Sequence, residues 1–209
     1  MSRYFESLTP FLATMTHSLI GYHFIHQDSL PQHYGSIRDY LIAGNGIFIR
    51  AERPDFSAII LVQSLLIPGL KSIAPRLTLR RPRISANLVT QMIGIANSPR
   101  PFVETLFYFH WSQDEWKLTV PSQIQTRNSV QPILSEASDN DYQTATIEVH
   151  SHPPNATTFS ADDTQIATGF RIFAILADVD TVPKLITRVG IDGMFWSIPA
   201  HWVFEVSEF

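Results

Sequence analysis

Two histidines and one aspartate are spaced for chemistry in this chain. His150 and His152 stand two apart, seven residues separate His152 from Ser160, and Asp163 comes three later. Residues two apart on a strand share a face. Both imidazoles can therefore reach one ion where the strand ends in a cleft. A carboxylate in the first turn of the next helix can swing back to the same point. Two imidazoles, one carboxylate and a water make a tetrahedral set suited to Zn²⁺. Such an ion lowers the pKa of its water to about 7 and polarises a carbonyl, which is the chemistry of hydrolysis. The chain has no cysteine. Disulfides, thiolate metal sites and a thiol nucleophile are excluded, and any metal must sit on His, Asp or Glu.

Each residue also has a plainer role. His-x-His at a strand end is commonly structural. Ser160 and Asp163 read as a capping box that starts a helix. Asp162 points about 100° away from Asp163 and suits the helix dipole. Glu148 shares a strand face with His150, as a partner of the ligands, an alternative base or a surface acid. Glu115 and Glu136 fall in turn or loop contexts. His17, His23, His26, His33, His110 and His201 lack a partner at metal-ligand spacing and read as structural.

These residues need strands and a helix to place them. Residues 144–150 read as a strand, 151–159 as a loop, and Ser160 opens a helix to about Thr168. The apolar run 170–177 suits a buried strand, and segments from Lys184 and from Gly193 form a final strand pair. Upstream, Ser85 caps a helix to about Ala96, with Val89, Met92, Ile93 and Ala96 on one stripe. Residues 102–111 read as a strand, 112–115 as a turn, 116–121 as its hairpin partner and 135–142 as a polar loop. Near the N-terminus, Gly44, Asn45 and Gly46 between apolar runs signal a β-hairpin, and 58–62 a strand. The order of helix, strands, helix and strands predicts a mixed α/β sandwich for the C-terminal part.

Composition sets the wider frame. The apolar fraction of 44 % supports a real core, and a net charge of -4 points to no polyanionic partner. Residues 71–83 hold Lys71, Arg76, Arg80, Arg81 and Arg83 with two prolines. They read as a basic connector between an N-terminal region, 1–84, of α+β or mainly β character and a domain at 85–209. With few interleaved aromatics this stretch disfavours a nucleic-acid role. Residues 1–10 carry no secretory signal pattern, and the most apolar window, 56–70, is too short to span a bilayer. A cytoplasmic protein without membrane partners is expected.

Over 85–209 the chain resembles the JAMM (MPN-plus, JAB-type) zinc metallopeptidases. The resemblance is carried by Glu104, by His150, Ser151, His152 and Pro153, and by Phe159 to Asp163. Within that family it is similar to bacterial stand-alone members of the plasmid-associated PRTRC-system protein A group. It implies a JAB/MPN-type three-layer sandwich, cytidine-deaminase-like, with His150, His152 and Asp163 as zinc ligands. It also implies Ser160 as oxyanion or water partner and Glu104, on the first strand after the Ser85 helix, as general base. The implied activity is that of a peptidase or isopeptidase acting on a protein or peptide, with the tail of a ubiquitin-like protein as substrate class. The alternative is a non-catalytic binding or scaffold module with a structural zinc, in plasmid maintenance.

Overall fold

The turn at Gly44 and Asn45 sets the register of the first sheet. Ala43 pairs with Gly46, and the antiparallel ladder runs back until Asp39 faces Arg50. Only glycine fits at position 44, because a Cβ there would meet the Leu70 carbonyl oxygen at 2.3 Å. The computed structural model describes residues 18–98, 101–133 and 142–206. The readings made for residues 1–10, His17, Glu136 and the loop up to residue 141 lie outside them.

The first sheet has the order β1-β2-β3-β4-β5. Its strands are β1 (Ile20–Phe24), β2 (Arg38–Ala43), β3 (Gly46–Arg53), β4 (Phe56–Ser64) and β5 (Arg76–Leu79). β1 joins β2 in parallel and the other pairs are antiparallel. Then come α1 (Ala86–Ala96), β6 (Leu106–Ser112), β7 (Glu115–Thr119) and a two-stranded ribbon, β8 (Gln123–Gln125) with β9 (Val130–Pro132). β10 (Ile147–Ser151) is followed by a short helix, α2 (Ala161–Ile166). β11 (Phe170–Ala177), β12 (Lys184–Ile191), β13 (Met194–Ile198) and a 3-10 turn, Ala200–Trp202, complete the chain. The second sheet has the order β13-β12-β11-β10-β6-β7, with β10 and β11 parallel.

Period-two alternation decides what each strand touches. Ile49 and Ala51 of β3 and Phe56, Ala58 and Ile60 of β4 face one core. From the second sheet, Phe107, Phe109, Ile147, Val149, Ile172, Ala174, Leu176, Val189 and Ile191 face the same core. Val89, Met92 and Ala96 of α1 enter it as well, on the helix that Ser85 caps. The residues in between, His150 and Glu148 among them, point to the opposite side of the second sheet.

The expected three-layer α/β sandwich of JAB/MPN type is therefore corrected. The described residues are mostly β, with 44 % in strands against 13 % in helices. The reason lies in what covers the second sheet. A five-stranded sheet shares its main core with α1, where helices alone were expected. On the far face α2 is six residues long and buries no side chain.

The basic stretch 71–83 contains β5, and several of its charges are engaged. Arg81 pairs with Asp55 at 3.0 Å, and Arg80 pairs with Glu52. Asp55 also accepts the Thr146 hydroxyl proton at 2.6 Å. Arg53 donates to the Ala145 and Phe170 carbonyls at 3.0 and 3.1 Å. The first sheet is thus tied to the starts of β10 and β11. No helix among the described residues is long and apolar enough to cross a membrane.

The cross-strand pair fixed by the hairpin is a buried ion pair. Asp39 and Arg50 are 2 % and 5 % exposed. Arg50 Nε donates to Asp39 Oδ2 at 3.0 Å, His33 Nδ1 lies 2.9 Å from the same oxygen, and Ser36 donates to Oδ1. Burial works against the Asp39 charge, but these hydrogen bonds and the Arg50 charge outweigh it and lower its pKa from 3.8 to about 2. Asp39→Asn leaves the Arg50 charge buried without its counter-ion, a loss of about 3–5 kcal/mol, to be read from urea unfolding. Because the folded pKa is depressed, this contribution is complete above 3.8 and disappears as pH falls toward 2. The wild-type urea midpoint should therefore fall more steeply across that window than that of Asp39→Asn.

Candidate metal centre

β10 brings the first histidine to the site by alternation alone. Ile147 and Val149 go to the core, so His150 faces away from it. His152 lies just beyond the strand. Its backbone N–H donates to the Leu176 carbonyl at 2.9 Å, and that of Ser151 to the Thr105 carbonyl at 2.9 Å. The two Nε2 atoms come within 2.9 Å of each other. Asp163 closes the group, with Oδ1 3.2 Å from His150 Nε2 and Oδ2 3.3 Å from His152 Nε2. One ligand atom from each of His150, His152 and Asp163 lies within 4.8 Å of the others, so the three could hold a metal ion.

The donor set fits such an ion chemically. His152 Nδ1 lies 3.1 Å from the Ala156 carbonyl oxygen. With an ion bound, a proton on Nδ1 would make that hydrogen bond and leave the Nε2 lone pair for the metal. Burial opposes charge on His152, yet Asp163, Glu104 and the Ala156 carbonyl together raise its pKa. Burial would also raise that of Asp163, but hydrogen bonds from His150, His152 and the Ser160 backbone hold it far below the ordinary carboxylate range. A carboxylate that stays ionised between two imidazoles is a ready cation ligand.

The capping box expected at Ser160 is formed. Ser160 Oγ accepts the Asp163 N–H at 3.0 Å, and Asp163 Oδ2 accepts the Ser160 N–H at 2.6 Å. The cap thereby aims the Asp163 carboxylate. α2 ends at Ile166, short of the expected Thr168.

Glu104 is not on the strand where it was expected, since β6 begins two residues later. The backbone around it is held elsewhere. The Glu104 N–H donates to the Thr126 carbonyl at 2.8 Å, and Gln125 Nε2 donates to the Glu104 carbonyl at 2.8 Å. The Thr105 N–H donates to Ser151 Oγ at 2.8 Å. Ser151 sits between the two histidines, so it ties the Glu104 segment to the metal-site strand. The Glu104 side chain is buried, 4 % exposed. Burial raises its pKa, with Asp163 adding to the rise and His152 and His150 opposing it.

Glu148 shares the face of His150, but Arg171 engages it at 3.2 Å. Burial raises its pKa, against the Arg171 and His150 charges. Glu148 is therefore an anchored partner of Arg171.

Sequence reasoning missed Arg188. It lies on β12, 7 % exposed, with its guanidinium 3.7 Å from the Phe159 ring centre and 3.9 Å from that of Phe195. Its Nη atoms donate to Thr164 Oγ1 at 3.1 Å and to the Asp163 carbonyl at 3.3 Å. It thus clamps α2 to the sheet. Burial lowers its pKa to about 10, with the Asp163 charge opposing the fall. Gly190 makes room for this stack, since a Cβ there would lie 2.8 Å from both Phe173 and Phe195 ring atoms. The available signal was an arginine among the buried residues that end β12, Val189, Gly190 and Ile191.

Compared with known proteins, the chain matches no family model and no curated protein. The functional argument therefore rests on the site itself.

If Arg188 and the cap place Asp163, both matter to metal affinity. Arg188→Ala should weaken Zn²⁺ binding by about 10–100-fold, the usual effect of removing a group that orients a ligand. Ser160→Ala should cost about 1 kcal/mol of helix stability and also weaken binding. Competition with a chromophoric chelator measures both. Wild-type affinity in the two variants would mean that Asp163 is placed by other contacts.

Proposed function

We propose that this protein is a zinc-dependent peptidase or isopeptidase whose ion is held by His150, His152 and Asp163. The observation that carries the reading is Glu104. It comes from a separate segment, is buried, and lies close enough to both histidines and Asp163 for their charges to move its pKa. A second buried carboxylate beside a complete ligand set is hard to explain by folding alone, since burying another negative charge there is unfavourable.

The set of two imidazole nitrogens and one carboxylate is that of hydrolytic zinc sites. When bound, the ion supplies a nucleophile from water at neutral pH and polarises a carbonyl. Glu104 accepts a proton as general base and returns it to the leaving amine. Its raised pKa brings it nearer the working pH, which favours both transfers. Ser160 Oγ accepts the Asp163 N–H, and a hydroxyl that accepts one bond still has a proton to donate toward an oxyanion. The JAMM resemblance supplies the substrate class, an amide at the tail of a ubiquitin-like protein, and a cytoplasmic setting belongs to the same reading.

Metal analysis of purified protein should find about one zinc per chain, and His150→Ala or Asp163→Ala should lose it. Glu104→Gln should keep the zinc and lose on the order of 10²–10⁴ in hydrolytic rate against ubiquitin-like fusions. Full activity in that variant would dismiss Glu104 as the base. A wild-type protein with full zinc and no hydrolysis across the panel would favour a structural ion.

A further inference from the structure

The first sheet has a face that the metal centre does not use. Ala51, Ala58 and Leu77 turn to the main core, so their neighbours along β3, β4 and β5 turn the other way. Register lines these neighbours up in two rows. Arg50, Ile59 and Arg76 form one, and Glu52, Ser57 and Thr78 form the next. A cavity of about 240 Å³ lies over both rows. At roughly 30 Å³ for a water-sized group, it has room for on the order of eight non-hydrogen atoms.

The opposite wall comes from the segment between β1 and β2, and it is held in place. Leu30 packs on the cluster that contains Ile59. The Pro31 carbonyl accepts a hydrogen bond from Arg50 Nη1 at 2.6 Å. His33 is fixed through Nδ1, 2.9 Å from Asp39 Oδ2. Leu30, Pro31 and His33 all line the cavity. The wall is thus fastened to the buried Asp39–Arg50 pair, and the fold itself sets the shape of the space.

Charge selects what could fill it. Arg50 is answered by Asp39, and Glu52 by Arg80. Arg76 is exposed and has no ion pair or hydrogen bond among the described residues. One positive charge is therefore left over at the cavity. The planar fork of a guanidinium matches a carboxylate with two parallel hydrogen bonds. A dianion would also meet the Glu52 carboxylate and be repelled. The Ser57 and Thr78 hydroxyls, cross-strand neighbours in the second row, can each give and accept a hydrogen bond. Leu30 and Ile59 offer carbon surface to a short stem.

We infer that this cavity binds a small monocarboxylate that carries a hydroxyl group. Arg76 holds the carboxylate, and Ser57 and Thr78 receive the hydroxyl. The site lies on the other side of the first sheet from the main core and stands independently of the zinc reading.

The test titrates the full chain with 3-hydroxybutyrate and follows the backbone amides by heteronuclear NMR. Saturable shifts centred on β4 and β5 are expected. The neutral 3-hydroxybutyramide and the dianion succinate should each bind at least about tenfold more weakly. Arg76→Met should lower the affinity on the order of 10–100-fold, the loss expected for a charged hydrogen-bond partner. It should leave the rest of the spectrum in place, because the side chain supports no other described residue. Thr78→Val should bring 3-hydroxybutyrate down to the affinity of butyrate, and His150→Ala should change neither. The absence of saturable shifts in the wild type overturns the site. So does an Arg76→Met protein that binds like the wild type, or an amide that binds as tightly as the acid. Equal binding of succinate overturns the assignment to a single negative charge.

Discussion

A carboxylate half-buried between two imidazoles has to be answered from every direction, and Asp163 is that carboxylate. Its oxygens face His150 and His152 at 3.2 and 3.3 Å, and one of them also accepts the Ser160 N–H. Dehydrating an ionised carboxylate is costly unless hydrogen bonds and opposite charge replace the lost water. Each surrounding feature supplies part of that replacement. The cap supplies a backbone N–H, and β10 with the residue just past its end supplies the two rings. Arg188 supplies a positive charge and fixes the backbone from which Asp163 projects. A short helix with no buried side chain has little packing of its own to hold it. Its position depends on these polar contacts, and so does the geometry of the candidate centre.

The sheet explains why such contacts can be rigid. Alternate residues of β10 serve two purposes: Ile147 and Val149 pack into the main core, while Glu148 and His150 face the site. β10 lies in the middle of the sheet, bonded to β6 on one side and β11 on the other. Its backbone cannot shift without breaking ladders on both sides. The first sheet adds to this by packing on the opposite face and by fastening the strand starts through Arg53 and Asp55. The region preceding the metal-site elements is therefore part of their support.

Local patterns carried much of this in the sequence. The hairpin was legible at Gly44, Asn45 and Gly46, but its register was not: Gly46 belongs to β3, so the turn has two residues and Asp39 faces Arg50, with His33 and Ser36 joining from outside the hairpin. The Ser85 cap, the Ser160–Asp163 box and the apolar run that became β11 also depend on near neighbours. What escaped depends on distant ones. An apolar face on β3 or β4 does not reveal whether it will meet helices or another sheet, whereas the expectation of three layers came from the family resemblance of 85–209 and took no account of the first sheet. Arg188 belongs to a stack whose rings, Phe159 and Phe195, lie in other elements. Residues 102–111 look like one continuous strand, yet the backbone at Glu104 and Thr105 bonds to Thr126 and Ser151 and joins the ladder only at Leu106.

That departure from the ladder separates the two candidate bases. Glu104 is buried and Glu148 half-buried, and loss of solvent raises both pKa values. Glu148 lies within the regular alternation of β10, where Arg171 across the sheet meets it at 3.2 Å. Burial still raises its pKa, but the Arg171 pair fixes the carboxylate in place and keeps it from serving another group. The charges that act on Glu104 are those of His152, His150 and Asp163, the groups that would surround the reacting water. Its proton affinity is therefore set by the site and responds to what occupies it. Leaving the strand two residues before β6 frees Glu104 from the sheet's alternation, and the Thr105–Ser151 bond holds it beside the histidines. Of the two acids, Glu104 is the one that the proposed hydrolysis would use as its base.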